Sequence, residues 1–260
     1  VTGGNYDITE GGEIQYILRL SNGTNSGGQQ YVGIEDAYSI DFSVETDPSS
    51  ASPASDGTDF NSFNTTATFP AGSIAGTEII IPIPTIENAI VEPSEEFNGV
   101  KSRNVAEETK YGTAPSRVSI NTERYALRIH DNDTATVNLS SITELESVGN
   151  ANIDFTLNGD VQDNFRIDYT PSDNTATEPS DYDETTGFFN FNGSSGQNFK
   201  RNFKVNDDAV IEPTEYFTVV PSYSPATGLI TNYVPQNIVF VTGEGEITIT
   251  YDDLDSDFDG

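Results

Sequence analysis

Apolar and polar residues alternate along much of this chain. Ile14, Tyr16, Leu18 and Leu20 make one such run, Ile40, Phe42 and Val44 a second, Ile153, Phe155 and Leu157 a third, and Phe165, Ile167 and Tyr169 a fourth. A period of two puts alternate side chains on opposite faces of an extended backbone, so these runs predict half-buried strands of antiparallel sheets. Between them lie clusters of Gly, Asn, Ser, Asp and Pro, such as "SNGTNSGG", "DPSSASPASDG" and "FNGSSGQN", which predict turns and loops. Helical periodicity is nowhere sustained. Short strands at fairly regular spacing predict an all-β chain of antiparallel β-sandwiches.

The strands fall into two copies. "IENAIVEPSEEF" occupies residues 86 to 97 and "NDDAVIEPTEYF" residues 206 to 217, which sets Glu92 and Glu212 120 residues apart. With 260 residues in the chain, that spacing predicts two tandem domains of ordinary size, each with about seven strands. "RYALRIHDND" runs without a linker into "TATVNLSSITELE", so the predicted domains are 1–133 and 134–254, with an acidic tail at 255–260. The tail, "DSDFDG", also fits the opening of an Asp-x-Asp-x-Asp-Gly calcium loop. One long stretch, about 98–117, is expected as a basic loop between the last two strands of the first copy. It holds Lys101, Arg103, Lys110 and Arg117, with Arg124 and Arg128 just beyond. Such a loop balances local charge or docks on the acidic surface of a neighbouring domain.

Charge narrows the range of partners. The formal net charge is −31, from 42 Asp plus Glu against 11 Lys plus Arg, which argues against nucleic acid and anionic lipid and favours cations. The longest apolar stretch, "EIIIPIPTI", is too short for a membrane span and is broken by Pro82 and Pro84, so no direct membrane insertion is expected. The start, "VTGGNYD", reads as that of a processed product or a fragment of a longer chain. Cysteine is absent, which removes disulfides and thiolate metal sites; bound metal is another source of stability in an oxidising exterior.

Aligned on the repeat, the acidic residues fall into four groups far apart in sequence. The second copy has Glu146, then Asp181, then Asp207, Asp208, Glu212 and Glu215, and finally Asp252 and Asp253. The first has Glu10, Asp59, then Glu87, Glu92 and Glu95, and finally Asp131 and Asp133. Every group sits at a predicted strand end, and alternate strand ends of a two-sheet sandwich meet at one pole. Two like charges about 4 Å apart repel by roughly 4 kcal/mol at an effective dielectric near 20. Six or more gathered carboxylates therefore need a counter-ion. Ca²⁺ fits best, because it takes six to eight hard oxygen ligands in irregular geometry. Mg²⁺ demands a stricter octahedron, and zinc prefers His or Cys, of which this chain has one and none.

The run from 165 to 220, "FRIDYTPSDNTATEPSDYDETTGFFNFNGSSGQNFKRNFKVNDDAVIEPTEYFTVV", resembles a Calx-beta domain. The likeness rests on its Asp-Tyr loop, its Asp-Asp followed by Val/Ile-Glu-x-x-Glu-x-Phe, and a closing strand that ends in acids. "SVETDPSSASPASDGTDF" through "VEPSEEF", closed by "RIHDND", resembles the family less closely. The resemblance implies two tandem immunoglobulin-like antiparallel β-sandwiches that bind Ca²⁺ in the loops at one pole and do no catalysis. By position it makes Glu146, Asp181, Asp207, Asp208, Glu212, Glu215, Asp252 and Asp253 the second-copy ligands. In the first copy Glu87-Asn88 stands where the family has Asp-Asp, and Asp131-Asn132-Asp133 closes the set, so fewer or weaker ions are expected there. Leu254 likewise breaks the closing acidic run of the second copy.

These features predict a non-catalytic, calcium-stiffened module of a large secreted or cell-surface adhesin, of the kind bacteria build from repeated modules. Its partners are expected to be neighbouring domains of the same long chain, with surface glycans or another copy of the chain as further partners. A calcium-sensing regulatory domain of a membrane exchanger is the alternative the same family offers. A glycan-binding module is another, with Tyr31, Tyr38, Tyr111, Tyr223 and Tyr233 expected in or near loops. His130, next to Asp131, is expected to point outward as a plain surface residue, since it continues the alternation of Leu127 and Ile129.

Overall fold

The computed structural model describes residues 6–24, 28–103, 120, 124–183, 185–223 and 237–253. The chain packs as two units, one of residues 1–88 and 93–132, the other of residues 133–260 together with the segment Ala89–Glu92. Both are built of strands, and the alternating runs account for them. Residues 104–119, 224–236 and 254–260 lie outside the description, and with them Lys110, Tyr111, Arg117, Tyr233 and the tail.

The N-terminal part supplies β1 (Tyr6–Thr9), β2 (Glu13–Arg19), β3 (Gly23–Thr24), β4 (Gln30–Tyr31), β5 (Tyr38–Thr46), β6 (Phe63–Phe69), β7 (Glu78–Pro84), β8 (Ile90–Val91), β9 (Glu95–Arg103) and β10 (Arg124–His130). In the first unit a five-stranded sheet runs β1-β10-β9-β5-β6, and β2 pairs with β7 in a second layer. The inward sets, Ile14, Tyr16 and Leu18 of β2 and Ile40, Phe42 and Val44 of β5, are all buried and share one core with Phe97, Leu127 and Ile129.

The second unit has β11 (Ala135–Leu139), β12 (Ile142–Leu145), β13 (Asn150–Asn158), β14 (Asp160–Val161), β15 (Phe165–Ser172), β16 (Tyr182–Asp183), β17 (Gly187–Phe191), β18 (Asn198–Val205), β19 (Glu215–Tyr223), β20 (Ile238–Phe240) and β21 (Gly245–Thr250). Two five-stranded sheets, β16-β18-β13-β11-β20 and β12-β21-β19-β15-β17, enclose a core that includes Ile153, Phe155, Leu157, Ile167, Tyr169 and Phe217. The first strand of the sandwich is divided between the sheets, β11 in one and β12 in the other, and so is the last, as β20 and β21. At the crossover Gly245 passes so near Ser140 that an added Cβ would lie 2.9 Å from the Ser140 carbonyl oxygen. β8 is counted with this unit, and its two residues pair in parallel with β14.

Two sequence expectations need correction. Residues 98–103 do not begin a loop: they continue β9, in register with β5 and β10. Lys101 is on the inward side of that strand, only 7% exposed, with its Nζ 4.7 Å from the Tyr125 ring centroid and 3.4 Å from the Tyr125 hydroxyl. Its four-carbon stem packs like an apolar side chain and its charge meets an aromatic face. Three of the tyrosines expected in or near loops belong to strands, Tyr31 being the last residue of β4. Tyr38 is buried in β5, and Tyr223 in β19 donates its hydroxyl to the Ile238 carbonyl and stacks on Phe240 with centroids 4.6 Å apart.

Candidate metal centres

The strand ends bring most of the distant acids together. Four sets have a carboxylate oxygen from each member within 4.8 Å of the others: Glu10 with Asp131 and Asp133; Asp59 with Glu92 and Glu95; Glu146 with Asp207 and Asp252; and Asp181 with Glu212 and Glu215. Twelve of the fifteen predicted residues are in these sets. Glu87, Asp208 and Asp253 are not, although each lies close by. The Glu87 carboxylate lies against Gly11, where a side chain would strike it, and Gly11 follows Glu10 directly. The backbone N–H of Asp208 donates to Glu146 Oε1 at 3.3 Å, while its carboxylate accepts from the Val210 N–H at 2.6 Å.

One local design holds the middle acids in both copies. Ser55 N–H donates to Asp59 Oδ2, and Thr177 N–H donates to Asp181 Oδ2, so each aspartate closes a turn on the residue four positions earlier. Backbone bonds tie this segment to the glutamate-bearing strand, Ala54 N–H to the Glu96 carbonyl at 2.8 Å and Glu96 N–H to the Ser52 carbonyl at 2.9 Å in the first copy, and Ala176 N–H to the Tyr216 carbonyl at 3.0 Å in the second. The residue after each aspartate is aromatic and stacks on the phenylalanine two positions after the glutamate. Phe60 lies on Phe97 with centroids 4.5 Å apart, and Tyr182 on Phe217 at 3.8 Å. These buried rings fix the distance between Asp59 and Glu95 and between Asp181 and Glu215. Phe60 and Tyr182 are positioning residues that the strand pattern alone did not single out. The signal available was an aromatic directly after the acid in both "TDF" and "SDY".

In the second unit the acids act on one another. Burial raises the Glu146 carboxyl above its ordinary value, and the charges of Asp208, Glu212 and Asp253 add to the shift, against the one hydrogen bond from Asp208. Glu212 is raised by burial and by Asp181, Asp208 and Asp253. Glu215 is raised by burial and by Asp181 and Glu212, and Asp253 by burial and by Asp207, Asp252 and Asp208. Among the described residues no ion pair involves any of the eight second-copy acids. Glu146, Asp181, Glu212 and Glu215 line one small pocket with Ile249 and Tyr251, so the two sets face a common space.

The donor set is oxygen only. Asp59 Oδ1 and Asp253 Oδ2 are buried with no hydrogen-bond partner among the described residues, an arrangement with the chemistry of a hard cation's ligands. Ser147 donates to Asp252 in the same region. The single histidine has other partners: His130 Nδ1 lies 2.8 Å from Ser94 Oγ and its Nε2 3.5 Å from Asp7. Among the described residues no helix is long and apolar enough to cross a membrane.

Residues 39–124 and 129–228 match the Calx-beta domain profile. Among solved structures, the apo-form Calx CBD1 domain aligns at 20% identity with a TM-score of 0.39, over 46% of this chain and all of that one. CBD12 from CALX1.2 aligns at 14% identity and a TM-score of 0.37, over 95% of this chain and 97% of that one. The calcium-binding domain CBD12 of CALX1.1 aligns at 16% and 0.35, over 94% and 96%. No curated protein matches the chain.

Proposed function

Since this chain belongs to the Calx-beta family, we propose that it is a non-catalytic calcium-binding pair of β-sandwiches and that calcium stiffens it as a module of a large secreted or cell-surface adhesin. The observation that carries this reading is the gathering of Glu146 with Asp207 and Asp252 and of Asp181 with Glu212 and Glu215, where burial and then the neighbouring acids raise the carboxyls of Glu146, Glu212, Glu215 and Asp253. These acids, together with Asp208, are proposed as Ca²⁺ ligands. Their first-copy counterparts Glu10, Asp59, Glu87, Glu92, Glu95, Asp131 and Asp133 are proposed to hold fewer or weaker ions.

Calcium neutralises the sets and clamps loops from four parts of each sandwich. At free calcium near 100 times the dissociation constant one site adds about 2.7 kcal/mol to the folded state. β10 ends at His130 and β11 begins at Ala135, which leaves four residues between them for bending. Absent Cys and Met, with abundant Gly, suit a secreted chain exposed to oxidants.

The same acids would serve a calcium-sensing regulatory pair of a membrane exchanger, and affinity separates the two. Extracellular modules bind in about the 10⁻⁴ to 10⁻³ M range and cytosolic sensors at about 10⁻⁷ to 10⁻⁵ M. Calorimetric titration of calcium into the whole chain is expected to give the weaker range. Micromolar binding would favour the sensor, and no heat at any concentration would end the calcium reading.

A further inference from the structure

The two copies of the Glu-Pro repeat meet different surroundings. In "IENAIVEPSEEF" Ile90 and Val91 form β8, and its ladder with Asp160–Val161 buries Val91 to 1% and Val161 to 4% exposure. In "NDDAVIEPTEYF" the matching residues are Val210 and Ile211, outside any strand and 55% and 54% exposed. Two adjacent branched aliphatics more than half in water, where the sister segment is paired and buried, mark an unused strand-forming edge.

The partner of that ladder also has a sister. Val161 stands four residues before Phe165, which opens β15 opposite Phe191; Ile34 stands four residues before Tyr38, which opens β5 opposite Phe69. Val161 N–H donates to the Gly193 carbonyl at 2.8 Å, and Ile34 N–H donates to the Ser73 carbonyl at 2.8 Å, in both cases in the turn after the paired strand. Gly33–Ile34 therefore hold the place of Asp160–Val161. Beside them Val32 and Ile74, joined through the Gly33 to Ile74 bridge, are each 65% exposed.

We propose that Val210–Ile211 of one copy of this chain pairs with Gly33–Ile34 of a second copy, repeating between molecules the ladder that Ile90–Val91 makes with Asp160–Val161. The contact joins two different patches, so it is heterologous and propagates head to tail instead of closing a symmetric dimer. Acids flank both patches, Asp207, Asp208 and Glu212 on one and Glu35 and Asp36 on the other. Screening by salt and neutralisation by calcium therefore strengthen it. An edge of this size makes a weak contact between free molecules, and tethering in series raises its occupancy. The proposal stands apart from the calcium reading, because the ladder it copies is backbone pairing with apolar burial.

The test is sedimentation of the whole chain in calcium and physiological salt, up to about 1 mM chain, where a contact of about −4 kcal/mol is half formed. The wild-type average mass is expected to climb past the dimer without a plateau. The double variant Val210→Asp with Ile211→Asp and the double variant Val32→Asp with Ile74→Asp should each stay monomeric alone. Their equimolar mixture should form a heterodimer and nothing larger, since each keeps one working patch. Val32 and Ile74 are remote in sequence from the proposed ligands, so an unchanged calcium-dependent melt of the second variant confirms that its fold is intact. A monomeric wild type at the highest concentration would overturn the proposal, as would association of either variant alone as strong as that of the wild type.

Discussion

Glu10 and Glu146 occupy the same place in the two repeats, both only 5% exposed, yet they meet different neighbours. Glu146 lies among carboxylates and accepts a single backbone hydrogen bond, from Asp208. Glu10 faces Asn88, the residue that replaces Asp208, and accepts from Asn88 Nδ2 at 3.4 Å. One amide in place of one carboxylate turns a repulsion into a hydrogen bond and lessens the need for a cation. Glu10 keeps Asp131 and Asp133 beside it, so the expected difference between the two units is one of donor balance as well as of acid number.

The largest way to break the comparison is through the stacked rings beneath the acids. Phe217→Ala and Phe97→Ala each remove a fully buried ring and should destabilise their own unit by about 3–5 kcal/mol. In urea titrations with calcium, Phe217→Ala should also lose the calcium response of the second unit while sparing that of the first. Equal loss in both units would show that the rings do not position the acids locally.

Next in size is a swap of the distinguishing residue. Asn88→Asp should tighten calcium binding of the first unit about tenfold, or about 1.4 kcal/mol, and destabilise the calcium-free chain. The reverse change, Asp208→Asn, should weaken the second unit by a similar factor. Calorimetric titration of both variants checks the pair.

Acidity gives a smaller effect whose sign follows from the shifts. Glu146, Glu212, Glu215 and Asp253 are raised, so between the ordinary carboxyl values and these raised ones the folded chain keeps protons that the unfolded chain has released. Calcium-free stability should therefore rise as pH falls through that window. Asp47, Asp173 and Asp183 are lowered, chiefly by hydrogen bonds from Ser49, Tyr182 and Lys204, and their contribution is lost as pH falls below the ordinary carboxyl range. A stability maximum in mildly acidic EDTA buffer is expected by urea titration. With calcium present, protons compete with the ion and the upper limb should reverse.

Smallest is an ion pair away from the acid sets. Lys204 Nζ lies 2.8 Å from Asp183 with both side chains about half exposed, so Lys204→Ala should barely move the urea midpoint and leave calcium binding unaltered. A larger change would mean that Lys204 also offsets the neighbouring acids.

Much of this was legible in the alternation. Ile14, Tyr16 and Leu18, and likewise Ile153, Phe155 and Leu157, became the buried faces of β2 and β13 because a period of two admits only one inward set. The doubled Glu-Pro segment likewise pointed to where the acids gather, since Glu92 with Glu95 and Glu212 with Glu215 each join an aspartate. Lys101 and Tyr38 lie deeper than expected because a charged or polar tip reads as surface, whereas a long stem or a ring fits a core; for Lys101 the Tyr125 ring receives the tip. The hydrogen bonds that Asp208 makes, its N–H to Glu146 and its carboxylate from the Val210 N–H, depend on loop geometry that spacing does not encode.

The central claim is that calcium holds the acid sets of the second unit together. Thermal unfolding of the whole chain in EDTA, in about 1–10 mM CaCl₂ and in matched MgCl₂ spans the extracellular affinities and tests it directly. A large upward shift in calcium alone, lost when Asp208 and Glu212 are replaced by Asn and Gln, is the predicted result. Identical melting in all three solutions would contradict it and leave the acids as a solvated surface.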